Sequence, residues 1–428
     1  MQPNKYEVNY NVRKRSKYKI GDLIKIECDT DNYIGTLMPR YQYTNHDNII
    51  IKLQNGYNVG IPIKSVNNIT KMSKQTKSNV VHQTYNAKST TLPKVLLLST
   101  GGTIASSLDY VTGAVSPTFD GNEIQKLIPE ISKFANIDTT GIFLESSENI
   151  IPSHWKKIAK KIISYKKSQY VGIIISHGTD TMHYTSAYLS FALSGFPIPI
   201  VLVGSQRSLD RPSSDAAINL ISAIRFVIGY KSQGVFVVMH EDENDSIAAC
   251  HIGTRVRKNH SSKRGAFQTV GGKPAFLIHN EDGHITQNTN KVFNQKFYGG
   301  KIDLDTRVSL IKYYPGYDSK LLEYIIDHNY RAIILEGTGL GHVGNTLYES
   351  IKKAIENDIF VGMTTQCING IIQMNVYESG RKLTKLGVTP LNMIPETAVV
   401  KAMWALGNSN NVLEMKKIMS KNVAFEFK

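Results

Sequence analysis

The sequence predicts an α/β protein in which a parallel-sheet core of two subdomains follows a small antiparallel β-barrel. Three observations support this prediction. Short strand-like runs fill the segment 18–72, a polar connector follows it, and buried strands alternate with amphipathic helices from Lys94 onward. Alternating strands and helices are typical of a mainly parallel sheet that is covered on both faces. We therefore expect an accessory domain at 1–72, a linker at 73–93, and α/β subdomains at 94–300 and 301–428.

The N-terminal strand signals are short apolar runs separated by turn residues. Asn55-Gly56 stands between two of them, and this dipeptide favours a tight hairpin because both residues tolerate positive φ. We expect an SH3-like barrel that serves as an interaction module without chemistry of its own. The predicted strands are Leu23–Ile26, Tyr33–Leu37, Asn48–Leu53 and Tyr57–Ile61.

The segment 73–93 (SKQTKSNVVHQTYNAKSTTLP) is polar, aperiodic and closed by a proline, as is typical of an exposed connector. Beyond it, the hydrophobic pattern alternates between strand and helix. The predicted strands are Val95–Leu98, Val171–Ile175, Ile200–Val203, Val235–Met239, Ala332–Leu335 and Ile359–Gly362, and the predicted helices are His154–Lys166, Met182–Leu193, Asp215–Ile228 and Glu396–Leu406.

Composition and charge limit the class of protein. With 41% hydrophobic and 20% charged residues over 428 positions, the chain resembles ordinary globular proteins, and its net charge of +15 favours contact with a polyanion such as nucleic acid. Three cysteines without metal-ligand spacing argue against a disulfide framework or a zinc site. No signal-peptide core or membrane-length apolar run occurs, so we expect a cytoplasmic protein without a membrane anchor.

Three polar clusters follow predicted strands, at 100–103 (TGGT), 176–181 (SHGTDT) and 255–258 (RVRK). Ligands of such sheets gather beyond the carboxyl ends of the strands, and a Thr/Asp/Lys set could activate a threonine hydroxyl there. Each residue also has a structural interpretation. Thr103 and Thr179 could cap helices, Asp180 could complement a helix dipole, and Lys258 could be a solvated charge.

Several motifs together resemble the bacterial-type L-asparaginase and glutaminase family. These are TGGTIA at 100–105, HGTDTM at 177–182, a lysine at 258 after the strand 234–239, and Ser147-Glu148 ahead of Trp155. The resemblance runs from about Lys94 to the C-terminus and implies an asparaginase-like core. With the barrel, the linker, VYESGRKL at 376–383 and PETA at 395–398, the whole chain is similar to the D subunits of archaeal glutamyl-tRNA(Gln) amidotransferases.

The resemblance assigns roles residue by residue. It implies that Thr103 is the nucleophile that forms an acyl-enzyme and that Tyr110, in a segment made mobile by Gly113, helps to activate it. Thr179, Asp180 and Lys258 match the second catalytic set, in which Lys258 acts on Thr179 and Asp180 holds the substrate α-amino group. The implied substrate-binding residues are Gly102, Ser147, Glu148 and Gly178, with oxyanion donors among the backbone N–H groups near Gly102 and Thr179.

Glu148 bears on specificity, since many asparagine-selective relatives have glutamine at this position; the alternative is a loop carboxylate. Asn392 departs from the pattern, because the D subunits often have an acidic residue before the methionine at 393. Gly339–Gly344 fits GxGxxG after a strand and could indicate a dinucleotide site, but no acidic ribose partner is evident. The resemblance explains these glycines as a loop facing the active site.

The implied function is that of a glutaminase subunit in a heterotetramer, with L-glutamine as substrate and ammonia passed to an E-type partner subunit that amidates Glu-tRNA(Gln). The chain has no Walker A pattern, so ATP and Mg²⁺ are expected in the partner, with no cofactor or metal in this chain and a homodimer at the centre. A free-standing L-asparaginase with an added barrel remains an alternative. A non-catalytic RNA-binding or scaffold protein, supported by the charge alone, is another.

Overall fold

A computed structural model describes residues 18, 21–29, 31–38, 48–53, 58–72, 91–102, 106–108, 115–117, 124, 128–208, 214–230, 233–290, 293 and 301–428. The N-terminal part forms an antiparallel sheet in the order β4-β3-β2-β1-β5. Its apolar side chains alternate along the strands and form a separate core that includes Ile24, Ile26, Ile49 and Ile51. The strands are β1 Leu23–Cys28, β2 Asn32–Leu37, β3 Asn48–Leu53, β4 Asn58–Pro62 and β5 Val66–Lys71.

The connection between β4 and β5 shows that this sheet curls into a barrel. These strands lie at opposite edges, which would be about 19 Å apart in a flat sheet with strands spaced by about 4.8 Å. Only the 3₁₀ turn Ile63–Ser65 joins them, and such a segment spans at most about 14 Å. The edges must therefore approach each other, as the predicted barrel requires. The predicted Asn55-Gly56 turn lies outside the described residues, but β3 and β4 pair antiparallel on either side of it.

The central sheet of the described chain has the order β17-β16-β13-β12-β11-β10-β6-β9. The five strands β9, β6, β10, β11 and β12 run parallel, and all but β9 match predicted strands. β9 and the antiparallel extension formed by β13, β16 and β17 were not predicted from the sequence pattern. The strands are β6 Lys94–Gly101, β7 Ser106–Leu108, β8 Val115–Pro117, β9 Asn136–Glu145, β10 Gly172–Ser176, β11 Ile200–Val203, β12 Val235–His240, β13 Ile247–Ile252, β14 Val256–Lys258, β15 Phe267–Thr269, β16 Phe276–His279 and β17 Ile285–Gln287. Small antiparallel pairs form between β7 and β8 and between β14 and β15.

Both faces of the central sheet are buried. Leu96 and Leu98 of β6 belong to one apolar cluster, and Val95 and Leu97 belong to another on the opposite face. This alternation is why the strands are apolar at every position rather than at every second one. The helices that cover the sheet are α1 Pro152–Ser164, α2 Met182–Ala192 and α3 Ala216–Gly229.

The C-terminal part forms a parallel sheet in the order β18-β19-β20-β21 within the described residues. Its core is continuous with that of the central sheet, because Trp404 of the last long helix stacks on Phe191 of α2 with ring centroids 5.6 Å apart. The elements are β18 Val308–Lys312, α4 Lys320–Asp327, β19 Ala332–Gly337, α5 Tyr348–Glu356, β20 Phe360–Thr365, α6 Glu378–Leu386, β21 Thr389–Pro390, α7 Pro395–Gly407 and α8 Val412–Met419.

Several classes of feature are absent from the ranges described above. No helix there is long and apolar enough to cross a membrane. No group of three or more His, Cys, Asp or Glu side chains there could hold a metal ion. The cysteines Cys28, Cys250 and Cys367 all lie in described positions, and none of them forms a disulfide.

Candidate active site

The turn after β6 brings the backbone of two glycines against neighbouring strands. Gly101 and Gly102 both have left-handed φ, of 99° and 78°, and a Cβ at Gly102 would collide with the backbone of Gly178. Only glycine permits this conformation and this approach without strain. The Thr100 hydroxyl donates to the carbonyl of Ser176 at 2.7 Å and ties the ends of β6 and β10 together. Thr103, Tyr110 and Gly113 lie outside the described residues, so their predicted roles stay predictions.

The loop after β10 is enclosed by backbone on several sides. A Cβ at Gly178 would meet the side chain of Ser147, and one at Gly204 would meet the carbonyl of His177 and the Thr179 methyl. The His177 N–H donates to the Val203 carbonyl at 2.9 Å. Predicted substrate-binding positions Gly102, Gly178 and Ser147 are therefore packed together at the carboxyl edge of the parallel strands. Such close packing fixes the position of the loop relative to its neighbours.

Lys258 reaches this loop from the hairpin β14–β15. Its Nζ donates to Thr179 Oγ1 at 2.8 Å and to Asp180 Oδ1 at 2.7 Å. The Lys258 side chain is only 8% exposed, whereas that of Asp180 is 66% exposed. Lys258 is thus not a solvated charge, and the Thr179 hydroxyl is the acceptor of a lysine rather than a helix cap. The structure joins residues that lie 79 positions apart in the sequence.

The two predicted substrate contacts on the turn Ser147–Asn149 differ in burial. Ser147 is buried, and its carbonyl accepts a hydrogen bond from the Thr181 hydroxyl at 2.7 Å. Glu148 is exposed and can meet a ligand from solvent.

Two other positions that the sequence singled out do not form part of this turn. The backbone carbonyl of Asn392 accepts the N–H of Lys428 at 2.9 Å, so the position that departs from the family pattern contacts the C-terminal tail. Gly339–Gly344 leads into the 3₁₀ turn Asn345–Leu347, not directly into a helix as a dinucleotide motif requires.

Several residues at the site were not singled out from the sequence. His177 is fully buried, and burial lowers its pKa to about 4. Beside Lys258, the Arg257 side chain pairs with Glu396 of α7, with Nε and Oε1 3.0 Å apart. Burial raises the pKa of the nearby Tyr184 to about 12. His177 could have been singled out from the sequence because it belongs to the HGTDT motif. Nothing in the local sequence links Arg257 to Glu396.

Comparison with protein families divides the chain into three matched segments. Residues 18–72 match the GatD N-terminal domain, residues 94–292 match "Asparaginase, N-terminal", and residues 307–419 match the Glutaminase/Asparaginase C-terminal domain. These matches account for the small barrel and for both parts of the α/β core. The fold predicted from the sequence, an asparaginase-like core preceded by a small β domain, is confirmed.

Individual relatives match over nearly the whole chain. The chain is 40% identical to the D subunit of the glutamyl-tRNA(Gln) amidotransferase of Pyrococcus abyssi, with 96% of each chain covered. It is 43% identical to the corresponding D subunit of Methanococcus maripaludis, with 95% of this chain and 97% of that one covered. The solved L-asparaginase of Thermococcus kodakarensis is 32% identical and has a TM-score of 0.71, over 78% of this chain and 99% of that one. The chain therefore belongs to the family of glutamyl-tRNA(Gln) amidotransferase D subunits, and its α/β core is that of an amidohydrolase of the asparaginase and glutaminase type.

Proposed function

We propose that this chain hydrolyses L-glutamine and supplies the released ammonia to a partner subunit that converts Glu-tRNA(Gln) to Gln-tRNA(Gln). The single observation that supports the amidohydrolase chemistry best is the contact of Lys258 with Thr179 and Asp180 at the carboxyl edge of the sheet. A threonine hydroxyl is a weak nucleophile at neutral pH and needs an adjacent base. A lysine held against a threonine provides one.

The proposed reaction begins at Thr103. Its hydroxyl oxygen attacks the side-chain amide carbon of glutamine, the C–N bond breaks, and the leaving nitrogen takes up the Thr103 hydroxyl proton to depart as ammonia. Water then attacks the acyl-enzyme ester, its OH group leaves in glutamate, and its other proton restores the Thr103 hydroxyl. When Lys258 is neutral, its lone pair can accept the Thr179 hydroxyl proton, and the Thr179 oxygen can then take a proton from the attacking group. Tyr110 would assist Thr103.

Substrate recognition would follow from the polar groups at the same edge of the sheet. The exposed carboxylate of Asp180 would hold the α-amino group of glutamine, with Glu148 beside it, and the turn at Ser147 would contact the α-carboxylate. Backbone N–H groups near Gly102 and Thr179 would stabilise the oxyanion, each contributing about 10²–10³ in rate. The presence of Glu148 favours glutamine over asparagine.

The proposed assembly is cytoplasmic and contains a homodimer of this chain, two E-type partner subunits and tRNA(Gln). ATP and Mg²⁺ would act in the partner, where the glutamyl group is activated. Helix α1 offers a surface for RNA, because the segment 152–170 contains six lysines and no acidic residue, and its apolar face is buried in the core. Lysines on such a face can neutralise RNA phosphates. They are Lys156, Lys157, Lys160, Lys161, Lys166 and Lys167.

Hydrolysis assays on the complex of this chain with its partner would test the proposal. We expect ammonia release from glutamine, stimulated by Glu-tRNA(Gln), and its loss by at least about 10³-fold in Thr103→Ala, because the covalent route is removed. Thr103→Ser keeps a hydroxyl and serves as the matched control. Unchanged ammonia release in Thr103→Ala would refute the assignment of the nucleophile, and tRNA-independent turnover of asparagine alone would favour a free-standing asparaginase.

Purification of the tagged chain from its own cells would test the assembly. We expect a stoichiometric partner chain together with tRNA, and loss of the tRNA at high salt because phosphate contacts are screened. A chain that elutes without any partner, while still active on asparagine, would contradict the proposed assembly.

A further inference from the structure

Both ring nitrogens of His177 have hydrogen-bond partners inside the protein. Its Nδ1 lies 2.7 Å from the carbonyl oxygen of Gly178, and its Nε2 lies 2.8 Å from the Thr185 hydroxyl on α2. A carbonyl oxygen can only accept, so Nδ1 carries the hydrogen. Burial lowers the pKa of the ring to about 4, and the neutral ring therefore accepts the Thr185 hydroxyl hydrogen at Nε2.

This arrangement fixes the direction of the next peptide group. The described chain contains no cis peptide bond, and in a trans peptide the C=O and the following N–H point in opposite directions. Because the Gly178 carbonyl points at the His177 ring, the Thr179 N–H points away from it. No acceptor for that N–H occurs among the described residues. Thr179 itself is only 4% exposed, so an N–H left without a partner there carries a free-energy cost.

We infer that His177 is a positioning residue, which holds the Gly178–Thr179 peptide so that the Thr179 N–H is presented to the oxyanion of the reacting amide. This inference rests on the proposed function and adds to it the device that orients one oxyanion donor. A donor that is fixed before the reaction stabilises the developing charge without reorganising. Thr185 acts one step further away, by holding the His177 ring.

The surrounding glycines explain why a side chain is needed to hold this peptide. Gly178 lacks a Cβ, and its backbone could otherwise adopt several orientations. The side chain of Ser147 and the backbone of Gly102 confine the position of Gly178. The hydrogen bond to the Gly178 carbonyl comes from the His177 imidazole, at 2.7 Å. Packing thus sets the position of Gly178, and His177 sets the orientation of its carbonyl group.

Two substitutions of similar shape separate this role from a general structural one. His177→Leu removes the donor to the Gly178 carbonyl, whereas His177→Asn keeps an N–H donor near the position of Nδ1. In the complex with the partner subunit, we expect His177→Leu to lower kcat for glutamine by at least about 10-fold and up to 10³-fold, with KM changed less than about threefold. His177→Asn should recover most of kcat. Thr185→Val, which removes the hydroxyl at nearly constant volume, should lower kcat by a few fold.

Thermal unfolding of each variant provides the control for folding. Equal loss of kcat in His177→Leu and His177→Asn, in proportion to their loss of stability, would overturn the inference, as would a rise in KM at constant kcat. If His177→Leu fails to fold, the kcat of Thr185→Val becomes the test. A wild-type kcat in Thr185→Val would then overturn the inference. Wild-type protein without glutamine hydrolysis would overturn the proposed function and this inference together. An active wild type with an equally active His177→Leu would overturn the inference alone.

Discussion

Lys258 and Lys401 are both buried lysines paired with a carboxylate, but their surroundings differ. Lys258 donates to Thr179 and to Asp180, whose side chain is 66% exposed. Lys401 of α7 pairs with Glu426 at 2.5 Å, and both side chains are fully buried. Lys401 also donates to the carbonyls of Met419 and Lys421, and Glu426 accepts the backbone N–H groups of the tail at 423 and 424.

The difference fits the catalytic role proposed for Lys258 and a structural role for Lys401. All hydrogens of the Lys401 ammonium have fixed acceptors, and the pair fastens the C-terminal tail to α7. Desolvation lowers the pKa of Lys401, while Glu426 opposes this shift. The Lys258 pair, in contrast, opens to solvent through Asp180. Removal of Lys258 should therefore cost activity, and removal of Lys401 should cost stability.

The largest expected effect is on catalysis. Lys258→Met should lower kcat for amide hydrolysis by about 10²–10⁴-fold, because it removes the base proposed for Thr179. Its free energy of unfolding should change by about 1 kcal/mol or less, since the partner carboxylate can be solvated. Lys312→Met is the control, because the exposed Lys312 side chain is also paired with a carboxylate, that of Glu336 in the C-terminal part, at 3.2 Å. Retention of kcat within tenfold in Lys258→Met would contradict the comparison.

The next effect is on stability. Lys401→Met leaves the Glu426 carboxylate buried without its cation and should lower the free energy of unfolding by about 3–5 kcal/mol, as measured by urea titration. The folded fraction should keep its kcat. Adding Glu426→Gln removes the uncompensated charge and should restore part of the stability. A double variant that is less stable than Lys401→Met would show that the charge is not the cause.

The smallest effect is on the pH dependence of stability. Burial lowers the pKa of His251 to about 3, whereas the unfolded chain titrates near 6.5. The unfolded state then binds more protons below pH 6.5, so stability is complete above that pH and is lost by about 1.4 kcal/mol per pH unit toward pH 3. His251→Asn should remove this contribution from the slope in urea titrations between pH 6.5 and 5, while the buried His177 and His183, whose pKa values burial lowers to about 4, keep theirs. His328→Asn, at an exposed position, should leave it unchanged.

Much of the fold could be predicted from local pattern. Runs such as Val95–Leu98 are apolar at every position because both faces of the sheet are covered, and the amphipathic period of α1 places Trp155 and Ile158 on its buried face. The antiparallel extension beyond β12 was missed, since short strands such as Ile285–Gln287 show no clear alternation. Of the candidate site, the motifs were found, but the buried hydrogen bonds of the His177 ring were not.

The sequence by itself determined which elements form and which chemical groups follow each strand. The reason is that the hydrophobic period and the turn residues specify local structure within a few neighbouring positions. Tertiary structure decided which of those groups meet. Lys258 contacts Thr179 because β12 turns back and the hairpin β14–β15 carries the lysine to the edge of the sheet. The same long-range packing buries Lys401 against Glu426 and leaves Asp180 open. Burial and pairing arise only when distant segments pack together, so one lysine contacts Thr179 beside an exposed carboxylate and the other is enclosed with Glu426.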